Sequence, residues 1–208
     1  MNEKVVFAQL IDHEGHTQET NLYISFTETD TVNLTLIGRA VDIESEASNY
    51  VQSLLALMTK LPEGYQLKFS NSFQIENMDA IEVIKVEELV SVTFDYDPDE
   101  PQLRYNLLCH YGGKTFTSES VEDFSIALQA LQTKMDINFR ICAFCSNADF
   151  RSTGGEDLRH GWYCLRDVEN RKPELPWFQR EEEFQQAYPN VNAFHWCPSY
   201  AKAVDRLL

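Results

Sequence analysis

Residues 4–11 read KVVFAQLI, residues 21–28 NLYISFTE and residues 31–41 TVNLTLIGRAV, three short runs in which apolar and polar positions alternate. Successive side chains of a strand point to opposite faces of a sheet, so this period of two marks strands with one buried and one wetted face. Polar and acidic stretches between the runs suit turns, and the three runs are expected to form an antiparallel sheet.

Working outward, the period changes from about Ile43. Tyr50, Val51, Leu54, Leu55 and Met58 recur at three and four residues, the stripe of an amphipathic helix, which Leu61-Pro62-Glu63-Gly64 ends. Strand character returns in YQLKFSNSFQI (65–75), IEVIKVEELVSVTFDY (81–96) and QLRYNLLCHYGG (102–113), with a loop at 97–101. A second helix is expected from Ser120, where Ser120-Val121-Glu122-Asp123 resembles a capping box, with Phe124, Leu128, Leu131 and Met135 as its buried stripe. The fold class expected is therefore α+β: a largely antiparallel sheet covered by two helices of about four turns each.

At Ile137 the composition shifts. INFRICAFC (137–145) is a last strand-like run and opens a stretch that holds four of the five cysteines and all three tryptophans. A short helix over 179–188 and a final helix over 198–208 are expected there. About seventy residues sustain an independent apolar core with difficulty, so a metal cross-link is a physical way to hold them. The expected organisation is an acidic α+β domain, 1–136, and a four-cysteine metal-stabilised module, 137–208, packed on it.

Cys142-Ala143-Phe144-Cys145 has the two-residue spacing that lets a tight turn offer two thiolates to one tetrahedral ion. Cys164 follows after 18 residues and Cys197 after 32 more. Four sulfurs make a closed shell, and zinc is the ion that suits it. Cys197 precedes Pro198, so it is expected at the N-cap of the final helix, where the helix dipole favours a thiolate. The arrangement resembles a treble-clef zinc module over 142–208, departing from it in that Cys164 and Cys197 stand apart. A redox dithiol, an iron-sulfur site and unpaired buried cysteines are the competing readings. The loop composition after Cys145 is unlike a redox motif, and rubredoxin-type iron needs two close pairs. His160 and His195 lie near Cys164 and Cys197 and are the imidazoles that would turn the site into a mixed one. Cys109, in LLCHYGG, is expected to be buried.

The net charge is −16, and it is uneven. Residues 1–100 hold 19 Asp and Glu against 5 Lys and Arg, whereas residues 101–208 hold 14 against 12. Such a surface repels phosphate backbones and anionic lipid; solubility is the plain reading of the charge, and an acidic face that meets a basic partner is the competing one. The first residues do not read as a secretory signal and no run is long enough for a membrane helix, so a cytoplasmic location is expected, with neither membrane nor nucleic acid as partner and clustered cysteines as metal ligands.

No catalytic constellation stands out. Asp12-His13-Glu14-Gly15-His16 reads as a polar turn, Asp95, Asp97, Asp99 and Glu100 lack the glycine of a calcium loop, and Gly154-Gly155 lacks the setting of a phosphate loop. Trp162, Tyr163, Phe194 and Trp196 surround the isolated cysteines as shielding. The functional expectation is a non-enzymatic, zinc-stabilised acidic protein that engages a basic protein partner. The alternative is a metal-dependent hydrolase or deaminase using His160 or His195 with Glu156 or Asp157 as base; it lacks the His-x-Glu and His-Glu-x-x-His signatures of such enzymes.

Overall fold

A computed structural model describes residues 2–26, 31–77, 80–95, 99–121, 124–151, 162–191, 197 and 199–202. The chain opens with strands β1 (Asn2–Ile11), β2 (Thr17–Phe26), β3 (Val32–Gly38) and β4 (Asp42–Ala47), then helix α1 (Tyr50–Met58). Strands β5 (Gln66–Asn77), β6 (Ala80–Thr93), β7 (Gln102–Tyr111) and β8 (Lys114–Val121) follow, and then helix α2 (Phe124–Met135). The sheet order is β4-β3-β2-β1-β5-β6-β7-β8. Neighbouring strands run antiparallel wherever their register is defined, in keeping with an α+β fold. Contacts divide the chain into two compact units: residues Met1–Ser72 with Ile84–Asp136, and residues Phe73–Val83 with Ile137–Leu208.

Alternation does what the sequence predicts in the first unit. Val6 stands opposite Leu22 and Leu22 opposite Leu36, and these three, with Ala8, Ile24 and Leu34, are buried on one face. Helix α1 lays Tyr50, Leu54 and Leu57 on β3 and β4, and α2 lays Phe124, Leu128 and Leu131 on β7 and β8. Each fully buried leucine contributes about 1.5–3 kcal/mol relative to exposure. Asn49 starts α1 by accepting the Gln52 amide through Oδ1 at 2.9 Å.

Two elements differ from expectation. Residues Asp42–Ala47 form a strand rather than the approach to a helix, because Ser45 turns inward while Asp42, Glu44 and Glu46 stay in water. Ser120 does not cap α2: β8 runs on to Val121 and the helix starts at Phe124. Both helices are shorter than four turns, with 9 and 12 residues, since each spans only the two strands it covers.

The two sets of four strands and a helix are built alike. Buried Ser45 of β4 donates to the Ser53 carbonyl at 2.8 Å, and buried Ser118 of β8 donates to the Ala127 carbonyl at 2.7 Å. Both acceptors are the fourth residue of their helix. Lys60, beyond α1, donates to the Glu44 carbonyl at 2.5 Å, and Lys134, in the last turn of α2, donates to the Thr117 carbonyl at 2.7 Å. Each lysine thereby closes a free carbonyl on an edge strand, which lowers the tendency of that edge to pair with another chain. Aligned on these bonds, Asp42-Ile43-Glu44-Ser45-Glu46-Ala47 matches Thr115-Phe116-Thr117-Ser118-Glu119-Ser120, Tyr50 matches Phe124, and Leu54 and Leu57 match Leu128 and Leu131. The ββββα unit occurs twice, and the copies meet through their first strands: β1 pairs antiparallel with β5, Ala8 opposite Phe69.

The second unit is smaller and aromatic. Strand β9 (Asn138–Phe139) pairs with β5 at Ile75, and β10 (Ala148–Phe150), β11 (Trp162–Cys164) and β12 (Tyr188–Val191) form a sheet in that order. Helix α3 (Glu181–Gln186) lies before β12. Phe73 meets Phe139 edge-on at 5.4 Å, Phe150 lies 5.1 Å from Trp162, and Tyr163 meets Phe184 edge-on at 5.1 Å. The final helix is not formed where its first turn is described: Ser199 lies in a turn and Lys202 makes an antiparallel bridge to Cys145. Its remaining residues lie outside the described ones. Among the described residues no helix is long and apolar enough to cross a membrane.

Candidate metal centre

Cys142 opens a single 3-10 turn, Cys142–Phe144, and the Cys145 amide closes it on the Cys142 carbonyl at 3.0 Å. This places two cysteine backbones side by side in one turn, as the two-residue spacing predicts. The segment just after the turn carries the rest of the frame. Ala148 stands opposite Cys164 in the β10–β11 ladder, and the Leu165 amide donates to the Asn147 carbonyl at 2.7 Å. On the other side, the Ser146 amide donates to the Ala201 carbonyl at 2.7 Å and Asn147 Nδ2 to the Ser199 carbonyl at 3.3 Å. Cys197 is tied to that strand end by a turn, its carbonyl accepting the Tyr200 amide at 3.1 Å. Three chain segments remote in sequence are therefore hydrogen-bonded within six residues of Cys142.

The electrostatics agree with that convergence. Burial pushes the Cys142 thiol up to about 12, and the neighbouring Cys145, Cys197 and Cys164 push in the same direction. Burial likewise raises Tyr200 to about 12, with Cys145 and Glu76 adding to it and Arg140, whose guanidinium lies 5.4 Å over the Tyr200 ring, opposing it. A buried thiol with other thiols acting on it is costly to ionise alone; a dication bound there would offset that cost. Among the described residues, no three His, Cys, Asp or Glu side chains are gathered closely enough to enclose an ion as they are placed. What the described residues share is backbone bonding: the segments that carry Cys164 and Cys197 are both hydrogen-bonded to the residues just after the Cys142–Cys145 turn.

Cationic groups lie beside the cysteines. Arg166, two residues from Cys164, pairs with Asp167 at 3.1 Å, and Arg171 reaches the Ser146 carbonyl at 3.5 Å. The spacing of cysteines alone did not reveal these groups or the backbone braces. The signals that carry them are the run of arginines after Cys164 and the short β10–β11 pairing.

Other sequence candidates divide. Asp12 is the hub of a turn: its Oδ1 accepts the amides of Glu14 and His16, both at 2.9 Å, and Oδ2 lies 3.0 Å from His16 Nδ1. Partial burial raises its carboxyl, but the amide and imidazole of His16 and the Glu14 amide outweigh that and hold it below the ordinary value. Asp95 pairs with Arg104. Cys109 is buried in β7, and burial raises its thiol. Trp162 is buried beside Phe150. His160, His195, Glu156, Asp157, Gly154, Gly155, Asp97, Phe194 and Trp196 lie outside the described residues. No family model, no curated protein and no solved structure matches the chain.

Proposed function

We propose that this protein is a non-enzymatic acidic interaction protein whose C-terminal unit is held by zinc on Cys142, Cys145, Cys164 and Cys197, and that its partner is a basic protein. The observation that carries the partner is the placement of charge: 19 acidic against 5 basic residues in the first hundred, with Asp42, Glu44 and Glu46 on the exposed side of an edge strand. Acidic fields of this kind speed and select encounters with cationic surfaces. The backbone bonds that bring together the turn at Cys142, the β10–β11 ladder and the segment after Cys197 support zinc as the tie between them. Bound there, the ion would supply structural cross-linking.

The test is capture of partners from extract on immobilised full chain. Basic proteins retained at about 20 mM salt and released near 0.5 M, where the screening length falls below about 5 Å, are the expected result. Retention of no basic protein at low salt refutes the proposal. The hydrolase alternative gains no support, since the histidines and carboxylates it needs lie outside the described residues.

A further inference from the structure

The geometry points to the helix-free face of β1–β4 as the docking surface, and to a cationic amphipathic segment as its occupant: Lys or Arg along one side, apolar residues along the adjoining side. This deepens the reading of the protein as a binder of basic partners and rests on it.

Strand register gives the surface its layout. On the face opposite α1, one row across the four strands runs Asp42, Ile37, Asn21, Phe7, and the next runs Glu44, Thr35, Tyr23, Val5. With strands about 4.8 Å apart, each row is about 14 Å wide. Asp42 and Glu44 therefore stand on the β4 side of the face and Phe7 and Val5 on the β1 side, with Asn21, Tyr23, Thr35 and the apolar Ile37 between them. Glu46 continues the acidic column and Glu19, beside the Phe7 row, adds a fourth exposed carboxylate. From Val5 onward, no outward position of these four strands carries Lys or Arg. The β1 side is left open to water, Val5 53% and Phe7 60% exposed, and Ile37 of β3, beside Asp42, is 43% exposed. Large apolar side chains in solvent next to a column of acids mark an interaction site.

The repeat within the fold supplies an internal control. The positions of Asp42 and Glu44 are occupied in the second copy by Thr115 and Thr117, on an edge strand with the same inward serine, the same lysine clamp and the same helix behind it. The scaffold is satisfied with threonine there. Acid at those two places is not a requirement of this scaffold, and it is the charge that a cationic segment would meet on this face. Across the equivalent outward positions of the second copy, Lys68 pairs with Glu87 at 2.7 Å and Arg104 with Glu119 at 3.4 Å, and exposed Lys85 adds a further cation. The first copy is the one with negative charge to offer.

The experiment uses the full chain and a fluorescein-labelled helical peptide of Lys, Leu and Ala, about 18 residues or five turns long, with Lys and Leu on adjoining stripes. A scrambled peptide of the same composition and a Glu-for-Lys peptide are the controls, followed by anisotropy at low and physiological salt. Wild type is expected to bind the patterned peptide in preference to both controls. Asp42→Thr/Glu44→Thr, which copies the second repeat, and Phe7→Thr are each expected to weaken binding by about tenfold. Glu63→Gln/Glu100→Gln removes the same charge from exposed loops and is expected to change affinity less than about twofold. Unchanged melting of the Thr variants shows that they fold; if either does not, Phe7→Tyr and Glu44→Gln serve instead. Binding that is indifferent to the face variants, or equally reduced by the loop pair, overturns the assignment of this face while leaving a basic partner in place. Equal binding of the scrambled peptide overturns the role of the apolar β1 side. Failure of wild type to bind either Lys-containing peptide overturns the basic partner itself.

Discussion

Arg180 is the residue whose removal most sharply tests how the second unit is held apart from its cysteines. Its side chain is 5% exposed, donates from Nη1 to Asp149 at 2.8 Å and from Nε to Glu183 at 3.1 Å, and its guanidinium lies 5.4 Å over the Phe184 ring. Glu183 in turn accepts the Lys172 amide at 3.0 Å. One cation thus ties β10, α3 and the loop before it. Two charge-assisted hydrogen bonds at about 1.5–3 kcal/mol each give an upper bound near 6 kcal/mol for Arg180→Met. Asp149 and Glu183 are 23% and 12% exposed, so water recovers part of their solvation once the arginine is gone. The expected cost is about 2–3 kcal/mol, most of it the penalty of leaving two partly buried carboxylates without the guanidinium. If that is the origin, Asp149→Asn with Glu183→Gln on the Arg180→Met background restores about half of the loss, because the carboxylate charges are removed. Urea unfolding of zinc-saturated protein, followed by tryptophan fluorescence from Trp162 and Trp177, measures both. A loss under about 0.5 kcal/mol for Arg180→Met, or a further loss in the triple variant, contradicts the role of Arg180 as the tie between β10 and α3.

Three further outcomes follow from the first unit. Leu54→Ala and Leu128→Ala occupy matching positions of the two repeats, both fully buried, and each is expected to cost about 2–5 kcal/mol in chemical unfolding; costs differing by more than about 3 kcal/mol contradict their equivalence. At Gly38 a Cβ would stand 3.0 Å from Gln18 Nε2, Thr20 Oγ1 and Val41 Cγ1, so Gly38→Ala is expected to lose about 1–3 kcal/mol, and a neutral result argues against the tight β3–β4 turn. The Asp12 carboxyl titrates below 3.8 in the folded chain, so its contribution to the β1–β2 turn is present above the ordinary carboxyl range and is lost as pH falls through the lowered value. A carbon-13 titration placing its midpoint above 3.8 contradicts the turn geometry.

What the sequence makes legible depends on contrast between the two faces of an element. β1, β2 and β3 were readable because Val, Leu and Ile alternate with polar residues. β4 was not, since its inward positions are Ile43, Ser45 and Ala47 and its outward ones are acids, which removes the hydrophobic alternation. β8 hid in the same way behind Thr and Ser, and the helix start was misplaced onto Ser120, a strand residue. The repeat leaves little trace in sequence, because what it preserves is a serine, a lysine and a helix stripe, separated by strands of different composition. For the cysteines, spacing identified the candidate set. It said nothing of Lys202 beside Cys145 or of the bonds from Asn147, which come from backbone pairing, and it placed a helix after Cys197 where residues 199–202 are instead drawn along the strand end.

Whether the four cysteines hold an ion is read directly from the metal content of the protein. Elemental analysis of full chain purified without added metal is expected to find about one zinc per chain, with tetrahedral four-sulfur coordination in its X-ray absorption spectrum. Cys142→Ser/Cys145→Ser is expected to lose that zinc and to destabilise the unit that contains β10–β12 while Cys109→Ser retains it. Wild-type protein without stoichiometric metal, or metal undiminished in the double variant, contradicts zinc binding by these four cysteines.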